Sequence, residues 1–91
     1  MRREPAFFGD GELVLLYIAK RLHEALKLEA LLTGAGLDYL VEPDRYQGGI
    51  LFRTERVGAF FYVAPEAAEA ARQLLRHQGY RPLEGEGWQR G

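Results

Sequence analysis

The chain has 91 residues, of which 47% are hydrophobic and 27% are charged. This length and composition suit one globular domain and exclude a disordered chain, a fibre or a repeat array. Twelve Lys and Arg residues face thirteen Asp and Glu residues, a net charge of -1, so a general affinity for nucleic acid or for an anionic membrane is not expected.

Prolines and glycines divide the chain into three parts. Residues 1–11 contain Pro5 and two glycines and are predicted to form an irregular leader. Residues 12–83 carry the periodic apolar pattern of one domain, and residues 84–91 form a Gly-rich tail.

The first half of the domain predicts a strand, a helix and a second strand. Leu13–Ala19 is a continuous apolar run of the kind found in a central strand. Residues 20–35 place apolar side chains at three- and four-residue spacing, which is typical of a helix, and glycines follow as a stop. Residues 37–42 form the next strand.

The second half begins with a predicted flexible connection over residues 44–49. Residues 50–54 and 57–63 are both strand-like. The two residues between them allow either a turn or a bulge in one bent strand, so the sequence leaves a hairpin and a single bent strand open.

A second helix is predicted from Pro65 to Gly79, because proline suits a first helical turn and glycine suits a stop. A short last strand is expected at residues 80–83. The order β-α-β-β-α-β predicts an α+β, ferredoxin-like two-layer sandwich with an antiparallel sheet and both helices on one face. We expect its first and third strands to lie side by side and parallel in the middle.

One face of this sheet is expected to be open. Strand alternation in one register directs five side chains away from the helices: Leu13, Leu15, Tyr17, Phe60 and Tyr62. The other register would leave an equally apolar set outside. A monomer would expose this patch, so we expect a homo-oligomer, a dimer or trimer, that buries it. Tyr17, Phe60 and Tyr62 are therefore candidate binding residues.

Single-stranded RNA binding is the alternative use of the same face. RNA-recognition domains share this order of elements and stack bases on central-strand aromatics. Residues 16–20 resemble their first-strand motif and residues 56–60 echo their third-strand motif, with Tyr17 and Phe60 as the stacking positions. Val57 and Gly58 depart from that motif, and without a basic surplus nucleic acid is not the expected partner.

Missing residue types restrict the chemistry. The chain contains no Cys, Ser or Asn, which excludes disulfides, cysteine-ligated metals and serine-nucleophile hydrolases. No metal cluster or acid pair can be assembled from the spacing, so we expect no enzyme activity, no metal and no cofactor. The longest apolar run has seven residues, against roughly 20 for a membrane-spanning helix, and we expect a cytoplasmic protein.

Three segments carry a resemblance to a known group of proteins. Residues 12–19, 31–39 and 62–75, including Leu31-Leu32-Thr33-Gly34-Ala35-Gly36 and Val63-Ala64-Pro65-Glu66, resemble small prokaryotic domains described as putative signal-transducing proteins. The resemblance spans roughly residues 12–78. It implies a PII-related, ferredoxin-like fold and a regulatory or binding role without known catalysis.

By the PII analogy, residues 44–56 would take the place of a long loop that contacts partners. Six residues of this segment form a candidate site for a phosphate or carboxylate, through Arg side chains and close backbone approach at the glycines: Arg45, Tyr46, Gly48, Gly49, Arg53 and Arg56. The other interpretation is an ordinary hairpin with solvated charges. A small anionic ligand or a protein partner is compatible with this segment.

Overall fold

The computed structural model describes residues 1–48, 54–83 and 89–90. Its elements are a 3-10 turn (Pro5–Phe8), β1 (Leu13–Ala19), α1 (Leu22–Gly34), β2 (Leu40–Gly48), β3 (Thr54–Val63), α2 (Pro65–His77) and a two-residue strand β4 (Gln89–Arg90). The fold is α+β: a β-α-β-β-α unit with two helices and a three-stranded antiparallel sheet of order β1-β3-β2.

The central strand, β3, runs antiparallel to both of its neighbours. The expectation that the first and third strands are parallel was therefore wrong. Helix α1 carries the chain back, so that β1 and β2 run in the same direction, and β3 then reverses after β2. Because β1 and β2 run in one direction and β3 runs between them in the opposite direction, β3 is antiparallel to both.

Strands β2 and β3 are longer than the sequence pattern indicated. β2 pairs with β3 from Leu40 opposite Tyr62 to Gly48 opposite Thr54, without a break in register. Residues 44–48 therefore belong to a strand, and the flexible connection predicted for them was wrong. Glu55 and Arg56 lie within β3, with neither a turn nor a bulge in its pairing with β2; residues 49–53 fall outside the described part of the chain.

The paired strands extend beyond the end of β1. β1 pairs with β3 only from Ala59 to Val63, whereas β2 continues along β3 to Thr54. Residues 44–48 and 54–58 consequently form a two-stranded arm beyond the three-stranded part of the sheet.

The strand predicted at residues 80–83 is absent from the structure of that segment. The segment follows the edge of β1 with a backbone hydrogen bond from the Leu83 N–H to the Leu16 carbonyl, at 2.7 Å. Pro82 has no amide hydrogen and cannot donate a backbone hydrogen bond to a neighbouring strand, so regular pairing with β1 is interrupted at this residue. The short pair formed by β4 lies farther along the same strand, opposite Leu13 and Val14.

Both helices cover one face of the sheet and form the main core with it. The fully buried side chains include Leu28 and Leu32 of α1, Leu75 of α2, and Phe61 of β3. Gly36 and Gly79 have φ values of 76° and 87°, so the glycines end both helices in the left-handed conformation that the stop signals predicted. None of the helices in the described residues is long and apolar enough to cross a membrane.

A bulge in β1 decides which side chains face the helices. Leu15 lies opposite Tyr62 and Tyr17 lies opposite Phe61, so Leu16 is an extra residue in the pairing. Leu16 and Tyr17 both pack on the helix side, and Ile18 packs on the other side. The side chains that point away from the helices are therefore those of the first predicted register, except that Ile18 takes the place of Tyr17.

The second face of the sheet carries its own apolar cluster. Five of its side chains are less than 10% exposed: Leu13, Leu15, Leu40, Phe60 and Tyr62. Phe8 from the leader, Tyr46 and Leu83 pack against them. The expectation that a single chain exposes this face was wrong, because its own segments cover it.

The leader is attached to the sheet by backbone and ionic contacts. Arg2 forms a parallel bridge with Tyr39, and the Arg3 N–H donates to the Tyr39 carbonyl at 2.8 Å. The Arg3 Nε also lies 2.8 Å from Asp38 Oδ1. The first residues of the chain are thus held against the sheet beside Tyr39.

Two leucines close in sequence test this description of the core. Leu16 is 0% exposed, whereas Leu22 is 76% exposed. Leu16→Ala should lower the free energy of unfolding by about 2–5 kcal/mol, and Leu22→Ala should change it by no more than about 0.5 kcal/mol, as measured by urea unfolding. Equal losses in the two variants would contradict the assignment of Leu16 to the core.

Candidate functional site

A cleft of about 510 Å³ lies where the arm meets the end of β1. Its lining combines three cationic, three aromatic and two aliphatic residues: Lys20, Arg45, Arg81, Tyr17, Tyr46, Phe60, Ile18 and Leu83. A cleft of this size suits a small molecule, and its apolar surface with a few charged groups is typical of a ligand site.

The bulge in β1 positions one wall of the cleft. Because Leu16 is an extra residue, Ile18 faces the same side of the sheet as Phe60, its partner on β3. Lys20 follows directly after the strand and lines the cleft from the connection to α1. A regular β1 would direct Tyr17 to this side in place of Ile18.

Gly58 allows the opposite wall to form. A Cβ atom at Gly58 would lie 3.0 Å from Cε1 of Tyr46, 2.9 Å from Cγ2 of Ile18 and 3.2 Å from the carbonyl oxygen of Ala19. Only a residue without a side chain leaves room for the Tyr46 ring at this diagonal position of the β2–β3 pair. Tyr46 is half-buried in this contact.

The third wall comes from the segment after α2. Besides the bond from Leu83 to Leu16, the Nε of Arg72 donates to the carbonyl of Leu83 at 3.2 Å. These two contacts tie the segment to β1 and to α2. Arg81 is exposed and reaches the cleft from this segment.

The cleft is locally cationic in a chain that is almost neutral overall. Within the described part of the chain, no Asp or Glu belongs to its lining. Arg45 lies 3.6 Å from Glu55, but both side chains are well exposed, and such a pair contributes about 0–1 kcal/mol. The ion pair with Glu55 therefore holds the Arg45 guanidinium only weakly.

The carboxylate nearest to Lys20 in sequence is already engaged by the protein. Glu24 Oε1 accepts from the Lys20 N–H at 3.2 Å, and Glu24 Oε2 accepts from the Tyr17 hydroxyl at 3.1 Å. Burial, followed by the hydrogen bond to Glu24, raises the pKa of Tyr17 to about 12. The phenol is consequently neutral at physiological pH and acts as a hydrogen-bonding group.

The structure brings together four of the candidate residues: Tyr17, Arg45, Tyr46 and Phe60 line the cleft. Tyr62 lies in the second apolar cluster, 8% exposed. Arg56 is exposed on β3 opposite Tyr46.

The remaining candidates belong to the end of the arm. Gly48 is the last residue of β2, and Gly49 and Arg53 lie outside the described residues. The anion site expected between the glycines and Arg53 is therefore not described, whereas Arg45 and Tyr46 from the same segment belong to the cleft.

Sequence reasoning missed Lys20 and Arg81 as binding residues. They lie 61 positions apart in the numbering and converge because residues 80–83 return along β1. A cation directly after a central strand was the available signal for Lys20. Arg81 carried no such signal, because its segment had been predicted as a regular strand. Within the described ranges, no group of three His, Cys, Asp or Glu side chains could hold a metal ion.

Replacing Gly58 tests the packing of Tyr46. Gly58→Ala should lower the free energy of unfolding by about 1–3 kcal/mol, because the new methyl group collides with two side chains and a backbone oxygen. Gly34→Ala is the matched control, since its Cβ would meet nothing within 4 Å. Urea unfolding should separate the two variants, and equal stabilities would contradict the close approach at Gly58.

No family model, curated protein or solved structure matches the chain. The resemblance to signal-transducing domains therefore stays a prediction from sequence.

Proposed function

We propose that this chain is a non-enzymatic regulatory domain that binds a small anionic ligand in the cleft between the arm and β1. The observation that carries the proposal is that Lys20, Arg45 and Arg81 all line one cleft, and that no carboxylate belongs to its described lining. Charged donors of this kind hold phosphate or carboxylate groups by charge-assisted hydrogen bonds.

The arrangement of groups supports binding over catalysis. Cations are exposed around a floor that includes the buried ring of Phe60. Tyr17, with its raised pKa, is a poor base and a poor nucleophile at neutral pH. Lys20 and the arginines can attract, orient and retain an anion without further chemistry.

The regulatory role is proposed from the resemblance to PII-related signal-transducing domains. In that analogy residues 44–56 would contact partners, and this stretch includes most of the arm. A ligand that contacts Tyr46 of the arm and Ile18 of β1, which line the same cleft, would contact the arm and β1 together. Occupancy of the cleft would thereby be communicated to the surface that the analogy assigns to a partner.

Binding of single-stranded RNA receives less support from the geometry. Its two expected stacking residues do not form one platform: Tyr17 packs toward the helices and Phe60 belongs to the other face, where it is 7% exposed. An RNA base needs an accessible aromatic face.

Self-association also stays a prediction. The sheet face proposed as its interface is covered within one chain by Phe8, Tyr46 and Leu83, so this face offers little apolar surface to a second copy. A dimer or trimer would need another contact region.

The complete ferredoxin-like topology is proposed as the finer description of the fold. Support comes from the sheet order β2-β3-β1 and from the two residues of β4, which lie on the free side of β1 where a fourth strand would belong. A cytoplasmic location likewise stays a prediction.

The proposed function predicts measurable affinity for inorganic phosphate. Isothermal titration of phosphate into the full chain, at a fixed ionic strength set with chloride, should detect binding. Arg81→Gln should weaken it by about tenfold, because it removes one charge-assisted contact worth about 1.5 kcal/mol or more.

Arg76→Gln is the charge-matched control, since Arg76 lies on α2 and its described ion pair is with Glu69 at 3.7 Å. This variant should retain wild-type affinity. The proposed site would be refuted if the wild-type chain bound none of inorganic phosphate, phenyl phosphate and cyclohexyl phosphate. Equal losses of phosphate affinity in Arg81→Gln and Arg76→Gln would also refute it.

A further inference from the structure

The aromatic content of the cleft is not explained by anion binding alone. Three aromatic residues line it, and they differ in accessibility: Phe60 is buried, whereas Tyr17 and Tyr46 are half-buried. Tyr17 is committed to the hydrogen bond with Glu24 and to an edge-to-face contact with Tyr80, at 5.6 Å between ring centroids. Tyr46 is therefore the ring best placed to receive a ligand.

The position of Tyr46 is fixed by packing against the sheet. Its Cε1 atom lies where it would be 3.0 Å from a Cβ at Gly58, and Gly58 also borders Ile18. A ring held over a glycine on a paired strand has few alternative rotamers. Tyr46 thus provides a pre-organised aromatic surface, and little side-chain entropy would be lost when a ligand packs against it.

A cation lies over this aromatic surface. The Lys20 Nζ lies over the Tyr46 ring, 5.6 Å from its centroid. Stacked or edge-to-face aromatic pairs have centroid separations of about 4.5–7 Å. A flat ring that packs on this face of Tyr46 would displace the Lys20 ammonium group from it, and a charged substituent of that ring would then lie within reach of the ammonium.

We propose that the ligand of the cleft is an aromatic anion, in which one flat ring packs against Tyr46 while a phosphate or carboxylate attached to it binds Lys20 and Arg81. This inference rests on the proposed function and specifies the class of ligand. The apolar side chains of Ile18 and Leu83 line the same cleft and suit the edges of such a ring.

Three phosphate compounds test the inference: inorganic phosphate, phenyl phosphate and cyclohexyl phosphate. The last two carry six-carbon rings of similar size, but only phenyl phosphate has a flat aromatic face. Isothermal titration should show phenyl phosphate binding about tenfold more tightly than inorganic phosphate and about threefold more tightly than cyclohexyl phosphate.

Substitutions at Tyr46 connect this preference to one side chain. Tyr46→Leu should remove the preference for phenyl over cyclohexyl phosphate. Tyr46→Phe keeps the ring and should retain the preference. Circular dichroism would show that each variant is folded.

The outcomes separate the two proposals. If none of the three compounds binds the wild-type chain, the proposed function fails and this inference fails with it. If inorganic phosphate binds but phenyl phosphate binds no better than cyclohexyl phosphate, only the aromatic specificity is refuted. A phenyl preference that survives in Tyr46→Leu would also overturn the assignment of Tyr46.

Discussion

The one-residue bulge in β1 is the constraint on which the candidate site depends. It places both Leu16 and Tyr17 on the helix side and returns Ile18 to the other face, opposite Phe60. Tyr17 can then reach Glu24 on α1, while Ile18 lies close to Gly58. Bulges commonly redirect side chains beside functional sites, and here one irregularity supplies both the closed helix-side core and the wall of an open cleft.

Three separate parts of the chain hold the cleft in place, and each is fixed by contacts outside it. The arm is aligned by continuous β2–β3 pairing. The segment that carries Arg81 is tied to Leu16 and Arg72 through the backbone of Leu83. Because the walls are set by sheet pairing and packing, the cations can remain exposed and hydrated until an anion enters. A net charge of -1 thus coexists with a locally cationic surface.

The sequence allowed the helices and β1 to be predicted, because apolar spacing, Pro65 and the terminal glycines act locally. The bulge was not predictable. Leu13–Ala19 is apolar on both faces, so a change in which side chains face the helices does not alter the apolar pattern of the sequence. Pro43, Asp44 and the glycines of residues 44–49 favoured a loop, yet pairing with β3 makes most of that segment a strand. Tyr46 and Arg45 were found as candidates, whereas their convergence with Lys20 and Arg81 depends on contacts distant in sequence.

Chemical-shift mapping of backbone amides during a titration with phenyl phosphate would test the central claim most directly. The account predicts saturable shifts confined to residues around Ile18 and Lys20, around Tyr46 and Phe60, and at Arg81 and Leu83, the three walls of the cleft. Shifts centred on the outer surfaces of α1 and α2, with the cleft residues unaffected, would contradict it.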